Sequence, residues 1–548
     1  MEKKENIGTS ILTSVIIACW FMLSLFVKSK HFVNEENDVK YHIFIVGLMI
    51  LSFYAIFINK RPTHFLSSIF SELTINLLFI VGSILSIYGL LQYGGLFKSY
   101  NSSFRITGSF ENPAGVAAVL SILFPIGITC VFRTGGLKKI IYAILSCCYI
   151  ITIILTGSRT GILSIFVTLT IVIQMEKNVM QWFRTHINFL ILLITTIIAT
   201  FIFLYLWKTD SVSGRLLIWF ISFSIIKKRP IFGFGPNGFD TQYMMAQADY
   251  FRSNTISDYS LLADNIKHPF NEFILTTINY GIIGLLLFLS LITILIMLSL
   301  KSRDNYSTIL LPSLTSFVIF STFSYPLHYA PIWLLLLFIC IKVLFFNKKL
   351  SRHLWRIKLL FKNLFLKTAI ALLLFMISFF QIHLIISQIK WKHISDCSIM
   401  GQTEQMIPLY EKLYHKTFLK YNKDFLYNYA AELNFIDRYS ESIQILDRCK
   451  DYLFDYEVAL AYTDNYLNLH KYPQALRYAQ LASNMVPCRF YPHYYLMTIY
   501  KESGDFDSAV KEASLILEKP IKVPSDDVFW VRNEAESLIN EIVTHKTM

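Results

Sequence analysis

The chain has 548 residues, 54% of them hydrophobic and 16% aromatic, with a formal net charge of +13. So much apolar side chain excludes a soluble globular protein and sets the class as integral membrane. In that class a cationic surplus marks cytoplasmic loops, so no nucleic-acid partner is expected.

A span needs about 20 mostly apolar residues. Runs of this kind lie at 11–27, 42–58, 74–91, 114–132, 140–155, 161–175, 187–207, 281–300, 308–321, 331–346 and 368–387, which predicts about 11 spans. The first run has no small-residue cleavage signature and reads as a retained anchor. Of the eight cysteines, five lie in apolar runs and three in the tail without a CxxC, so neither a metal nor a redox cofactor is expected. With Lys3 and Lys4 placed in the cytoplasm, the inner loops hold Lys60 and Arg61, then Arg133, Lys138 and Lys139, and later the cations between 348 and 362. Arg105, Arg159, Arg215 and Lys228 fall on the outer face, against this rule. They are the candidates for chemistry. The same topology gathers three segments outside: FRITGSFENP at 104–113, TGSRTG at 156–161, and a large polar loop at 208–280.

After Ser387 the composition turns to mixed charge and helical periodicity. Tyr439, Tyr472 and Phe506 fall 33 and 34 residues apart; Ser442, Ala475 and Ala509 repeat those steps, and Pro487 and Pro520 are 33 apart. Such a period, with small residues where paired helices touch, resembles tetratricopeptide repeats. The competing reading is an unrelated array of helical hairpins. The expected organisation is a polytopic membrane domain at 1–390 and a repeat domain at 391–548 on the outer, periplasmic side.

Arg215 follows Gly214 and opens the apolar run LLIWFISFSII. A guanidinium there sits at headgroup depth and can grip phosphate oxygens in pairs, or simply snorkel to a lipid headgroup. Arg159 lies between two apolar runs, where a charge needs a polar cavity or serves as a span-end anchor. Arg105 is a weaker case of the same kind. Lys228 is a second phosphate contact or a cationic end to a helix. The glycines of FGFGPNGF suit a loop with positive φ but lack the GK[ST] ending of a phosphate-binding P-loop. His268 can accept a proton from an incoming hydroxyl, and Glu272, four residues on, can orient it if both are helical. Asn271 is an N-cap or a sugar contact. The bland alternative for His268 is an interfacial histidine without chemistry. No metal-binding cluster is seen on the outer face.

SGRLLIWFISFSIIKKRPIFGFGPNGF followed by HPFNEFILTTINYGIIG resembles the signature region of the O-antigen ligase and polymerase superfamily, and GSFENPAG and GSRTG resemble its upstream motifs. The resemblance covers about residues 104–346 and lies in the order of the motifs. It implies an all-α, GT-C-like, metal-independent inverting glycosyltransferase that needs no cofactor. The implied donor is a glycan on undecaprenyl diphosphate at the outer face of the bacterial inner membrane. Arg159 and Arg215 correspond to the family's diphosphate-binding arginines and His268 to its base, with Arg105, Lys228, Asn271 and Glu272 as further substrate contacts. Many members carry histidine immediately before the motif's asparagine; here Phe270 stands there, and His268 is the available histidine.

The expected reaction is of O-antigen ligase type, with lipid A core as acceptor. A growing glycan would make the chain a polymerase, and a protein hydroxyl a protein O-oligosaccharyltransferase. The outer repeat domain suits a protein partner or acceptor. A polysaccharide transporter or flippase is the non-enzyme alternative, but its sites belong at mid-membrane, and the cations here sit near span ends.

Overall fold

The computed structural model describes residues 2–57, 71–177, 209–254, 259–301, 306–346 and 364–547. Among these residues the fold is all-α, with no strand. The chain is a polytopic helical membrane protein: six described helices are long and apolar enough to cross a membrane. The expected span at 187–207 and the cations at 60–61 and 348–362 lie outside the described residues.

In chain order the first helices are α1 (Glu2–Phe26), α2 (Asn37–Phe57), α3 (Glu72–Tyr93), α4 (Pro113–Arg133), α5 (Gly136–Leu155) and α6 (Arg159–Lys177). Then come α7 (Thr209–Lys228), α8 (Gly238–Ser253), α9 (Glu272–Lys301), α10 (Ser307–Phe323), α11 (Ala330–Phe346) and α12 (Leu364–Cys397). The tail adds α13 (Thr403–Lys416), α14 (Lys423–Phe435), α15 (Tyr439–Cys449), α16 (Tyr456–Asn468), α17 (Tyr472–Met485), α18 (Tyr491–Glu502), α19 (Phe506–Glu518) and α20 (Asp526–Thr547). Two compact units result. The first holds residues 1–204, 270–272 and 287–386; the second holds 205–269, 273–286 and 387–548.

The first unit is a bundle built on α4. Asn112 caps that helix, its side chain accepting from Ala114 N, and Pro113 fills the first position, where a missing N–H costs nothing. Small residues let the helices close. A Cβ on Gly82 would fall 2.3 Å from the Tyr149 hydroxyl, and one on Gly127 would meet Ser146 and Phe79. Polar side chains tie the apolar faces: Tyr149 donates to Phe79 O at 2.7 Å, Ser86 meets Thr152 at 2.8 Å, and Ser164 meets Ser316 at 2.7 Å.

The second unit contains three successive helical hairpins, α14–α15, α16–α17 and α18–α19, closed by α20. Tyr439, Tyr472 and Phe506 each open the second helix of a hairpin. Ser442, Ala475 and Ala509 are fully buried. Asn422, Asp455 and Asp505 cap α14, α16 and α19. The segment from α7 to residue 269 belongs to this unit because α8 and the loop after it bond to the array. Gln247 Nε2 donates to Met485 O at 2.6 Å and to Asp264 O at 3.1 Å. Phe454 N donates to Asp240 O, and Lys423 pairs with the Asp240 carboxylate at 2.6 Å. Burial pushes the Asp240 carboxyl above its usual range, and Lys423 opposes that shift.

Candidate functional site

One end of the first unit collects its polar loops. The direction of the helices fixes this. At the opposite end Arg133, closing α4, reaches both Glu176 near the end of α6 and Thr308 at the start of α10. Hence α4 and α6 run together and α10 runs against them. Ser164 on α6 meets Ser316 on α10. Five residues back from Ser164 is Arg159, and five on from Ser316 is Ser321, each a rise of about 7.5 Å at about 1.5 Å per residue. Arg159 is therefore level with the end of α10, where the Ser324–Tyr329 loop leaves.

Arg159 is the first residue of α6. The turn before it is built for this: Gly157 has φ 68°, and Ser158 caps the helix, its Oγ accepting from Gly161 N at 3.2 Å. The half-buried guanidinium thus starts from the helix N-terminus, where the backbone dipoles leave a partial positive charge, a place that attracts anions.

The Ser324–Tyr329 loop is held from several sides. Tyr41 OH donates to Leu327 O and His328 O at 3.1 and 3.0 Å, and Trp333 Nε1 donates to Leu327 O at 2.7 Å. The Glu272 carboxylate, 3% exposed, accepts from Leu327 N at 2.8 Å. Asn37 Nδ2 donates to Glu111 at 2.8 Å and lies 3.2 Å from His328 Nε2. Lys40 is buried, bonded to Ser109 O with its ammonium over the Phe110 ring. Glu36 is buried beside it, paired with Lys28; burial pushes its carboxyl up and the Lys28 bond opposes that. Phe270 has φ 53° and sets its ring edge-on to Tyr325 at 5.5 Å. A left-handed aromatic residue is a strained position of the kind found at functional sites.

Gln92 adds a third hold on the FRITGSFENP segment, beside Lys40 and Asn37. Gln92 Oε1 accepts from Gly108 N at 2.7 Å and Thr107 N at 3.2 Å, while Nε2 donates to Gly108 O at 3.0 Å. Arg105, in the same segment, is exposed and lies over the Tyr93 ring at 5.7 Å.

In the second unit α7 begins at Thr209, so Arg215 stands in its second turn and not at its start as the sequence suggested. Trp219, one turn further on the same face, donates its Nε1 to Pro269 O at 2.9 Å. This bond ties the His268–Pro269 segment to the face of α7 that carries Arg215. Lys228 lies exposed in the last turn of α7. His268 and Glu272 do not share a helix, so the condition for their pairing across one turn is not met: α9 begins only at Glu272, and Pro269 with left-handed Phe270 keeps His268 out of it.

The loop after α7 docks on α9 where that helix breaks. Gly281 has φ 66° and ψ −166°. Phe234 N donates to Ile278 O, Gly235 N to Asn279 O and Ile282 N to Pro230 O, all at 2.8–2.9 Å. The Asn279 side chain closes the joint, accepting from Phe239 N and donating to Pro236 O. Gly233, whose would-be Cβ falls 2.5 Å from Ile278 O, serves this backbone-to-backbone approach, whereas Gly235 supplies only a positive φ.

By unit, Arg105, Arg159, Asn271 and Glu272 belong to the first, and Arg215, Lys228 and His268 to the second. Sequence reasoning missed Asn37, Lys40, Tyr325 and His328. The signal was there in a lysine and an asparagine at the head of an apolar run and in the aromatic SYPLHYA loop between two others.

A comparison with curated proteins finds no match. The family model described as O-antigen ligase matches residues 142–289, a stretch running from α5 into α9 that contains Arg159, Arg215, Lys228, His268, Asn271 and Glu272. That stretch points to glycan transfer in O-antigen assembly and supports the O-antigen ligase superfamily.

Proposed function

We propose that this protein transfers a glycan from a polyprenyl-diphosphate donor to an acceptor hydroxyl at the periplasmic face of the inner membrane, as an O-antigen ligase with lipid A core as acceptor. The match over residues 142–289 carries the reading, because it spans both arginines and His268. Arg159 and Arg215 hold the diphosphate. The acceptor oxygen attacks the anomeric carbon from the opposite face, the bond to the diphosphate oxygen breaks, and its electron pair leaves with the phosphate. His268 takes the hydroxyl proton. Charge grows on the leaving group as the bond breaks, so fixed guanidinium groups act most strongly in the transition state. The sugar is inverted, and the diphosphate supplies the activation that a nucleotide would otherwise bring.

The tail acts as a periplasmic tetratricopeptide-like array. Its hold on the loop carrying His268 supports a second reading, in which the acceptor is a protein hydroxyl. Deletion of the gene followed by mass analysis separates the two. Loss of capped lipopolysaccharide with accumulation of lipid-linked glycan supports the ligase; loss of glycan from secreted proteins alone selects the protein acceptor. Arg215→Ala in the restored gene is expected to lower transfer by about 10²–10³ while the protein still inserts. A fully active variant refutes the assignment.

A further inference from the structure

The hairpin array grips the segment from α8 to residue 265 through the turns that link one hairpin to the next. The first turn supplies Phe454, whose N–H donates to Asp240 O, and Asp455, which accepts from Asn265 Nδ2 at 3.1 Å. The second supplies Cys488, whose thiol donates to Ala263 O, and Arg489, which pairs with the Asp264 carboxylate at 3.0 Å. The second turn therefore holds the Ala263 carbonyl and the Asp264 carboxylate of the non-helical stretch after α8, the first turn holds the Asn265 amide, and the Asp240 carbonyl lies within α8 itself.

The third turn repeats the second in sequence. Pro487–Cys488–Arg489 corresponds to Pro520–Ile521–Lys522 at a spacing of 33. Here the array opens onto a cavity of about 460 Å³, lined by Asp264, Arg489, Tyr491, Lys522, Val523 and Asp527 among others. That volume is within the usual range for a ligand site, about 300–1,000 Å³. Asp264 is already engaged by Arg489. Asp527 sits in the first turn of α20, where the helix dipole offsets its charge. Lys522 is exposed and has no ion pair among the described residues. The cation equivalent to Arg489 is thus the one left for a ligand.

We infer that this cavity binds an acidic, extended polypeptide segment, which continues the line along which the array already holds its own loop. Lys522 takes a carboxylate of the segment, as Arg489 takes Asp264. Tyr491, at the head of α18 beside Arg489, offers an exposed ring to the segment's side chains.

The test uses the full chain in lipid nanodiscs and a fluorescein-labelled decapeptide of alternating aspartate and serine. Lysine–serine and glycine–serine decapeptides serve as controls. Fluorescence anisotropy is expected to show binding of the aspartate peptide alone. Lys522→Glu is expected to weaken it about fivefold or more, since one exposed attraction is replaced by a repulsion. The same variant should melt with the parent, because Lys522 lies on the surface. No binding, equal binding of the lysine peptide, or an unchanged affinity in Lys522→Glu overturns the inference. Competition by an oligogalacturonate at the same concentration as the peptide also overturns it, and reassigns the cavity to anionic glycans. Binding is read without transfer, so failure here leaves the proposed reaction untouched.

Discussion

Replacing Gly281 by alanine probes the joint that fixes the loop after α7. The glycine has φ 66° and ψ −166°, a region that side chains with a Cβ essentially never enter. A Cβ would also lie 2.0 Å from Ile231 O and 2.6 Å from Phe232 N, both backbone atoms. Gly235 provides the control: its φ is 94°, but no atom lies within 4 Å of its would-be Cβ. Both substitutions incur dihedral strain of about 1–3 kcal/mol. Only Gly281→Ala must also push the 230–232 backbone away. That move breaks the bonds from Ile282 N to Pro230 O and from Ile283 N to Ile231 O, each worth about 1 kcal/mol net. The expected total is about 3–5 kcal/mol for Gly281→Ala against about 1–3 for Gly235→Ala. At roughly 2–4 °C per kcal/mol for a unit of this size, the first variant should melt at least about 6 °C below the parent. Scanning fluorimetry of the purified protein in detergent, with limited proteolysis of the 229–240 segment, reads the difference. Equal melting of the two variants refutes the close backbone approach.

Three further predictions follow from single contacts. Trp219→Phe keeps an aromatic ring but removes the bond to Pro269 O, so it should cost about 1 kcal/mol of stability while lowering glycan transfer well beyond that; an in vitro transfer assay run well below the melting temperature of both proteins checks it. Gln92→Ala removes three bonds to residues 107–108 at about 1 kcal/mol each, so protease cleavage within 94–108 should appear in the variant alone. Lys423→Ala leaves the Asp240 carboxylate without its ion pair. Because burial already raises the Asp240 pKa, the folded protein holds this proton more tightly than the unfolded chain. Stability then falls as pH rises from the ordinary carboxylate range through the raised folded value. The loss of about 1–2 kcal/mol expected for Lys423→Ala at pH 8 should shrink as pH is lowered toward 5. A melting difference independent of pH would contradict this.

Local pattern fixed much of this molecule. Apolar runs of membrane length set the spans, because a helix in lipid must satisfy its own backbone and can do so only over a continuous stretch. A 33–34 residue spacing placed Ser442, Ala475 and Ala509 at helix contacts, where they are fully buried. The parity of the helices put Arg159 at the end of the bundle where the polar loops gather. Partners far apart in the chain were invisible. Gln92 captures Gly108, the Glu272 carboxylate turns to Leu327, Trp219 holds Pro269, and Arg489 reaches back 225 residues to Asp264. Each needs the whole fold to bring two groups within about 3 Å, and a hydrogen bond leaves no periodic trace in the sequence. Pro269 in the sequence already argued against His268 and Glu272 sharing a helix; the left-handed Phe270, which no local pattern announced, completes the break before Glu272 opens α9.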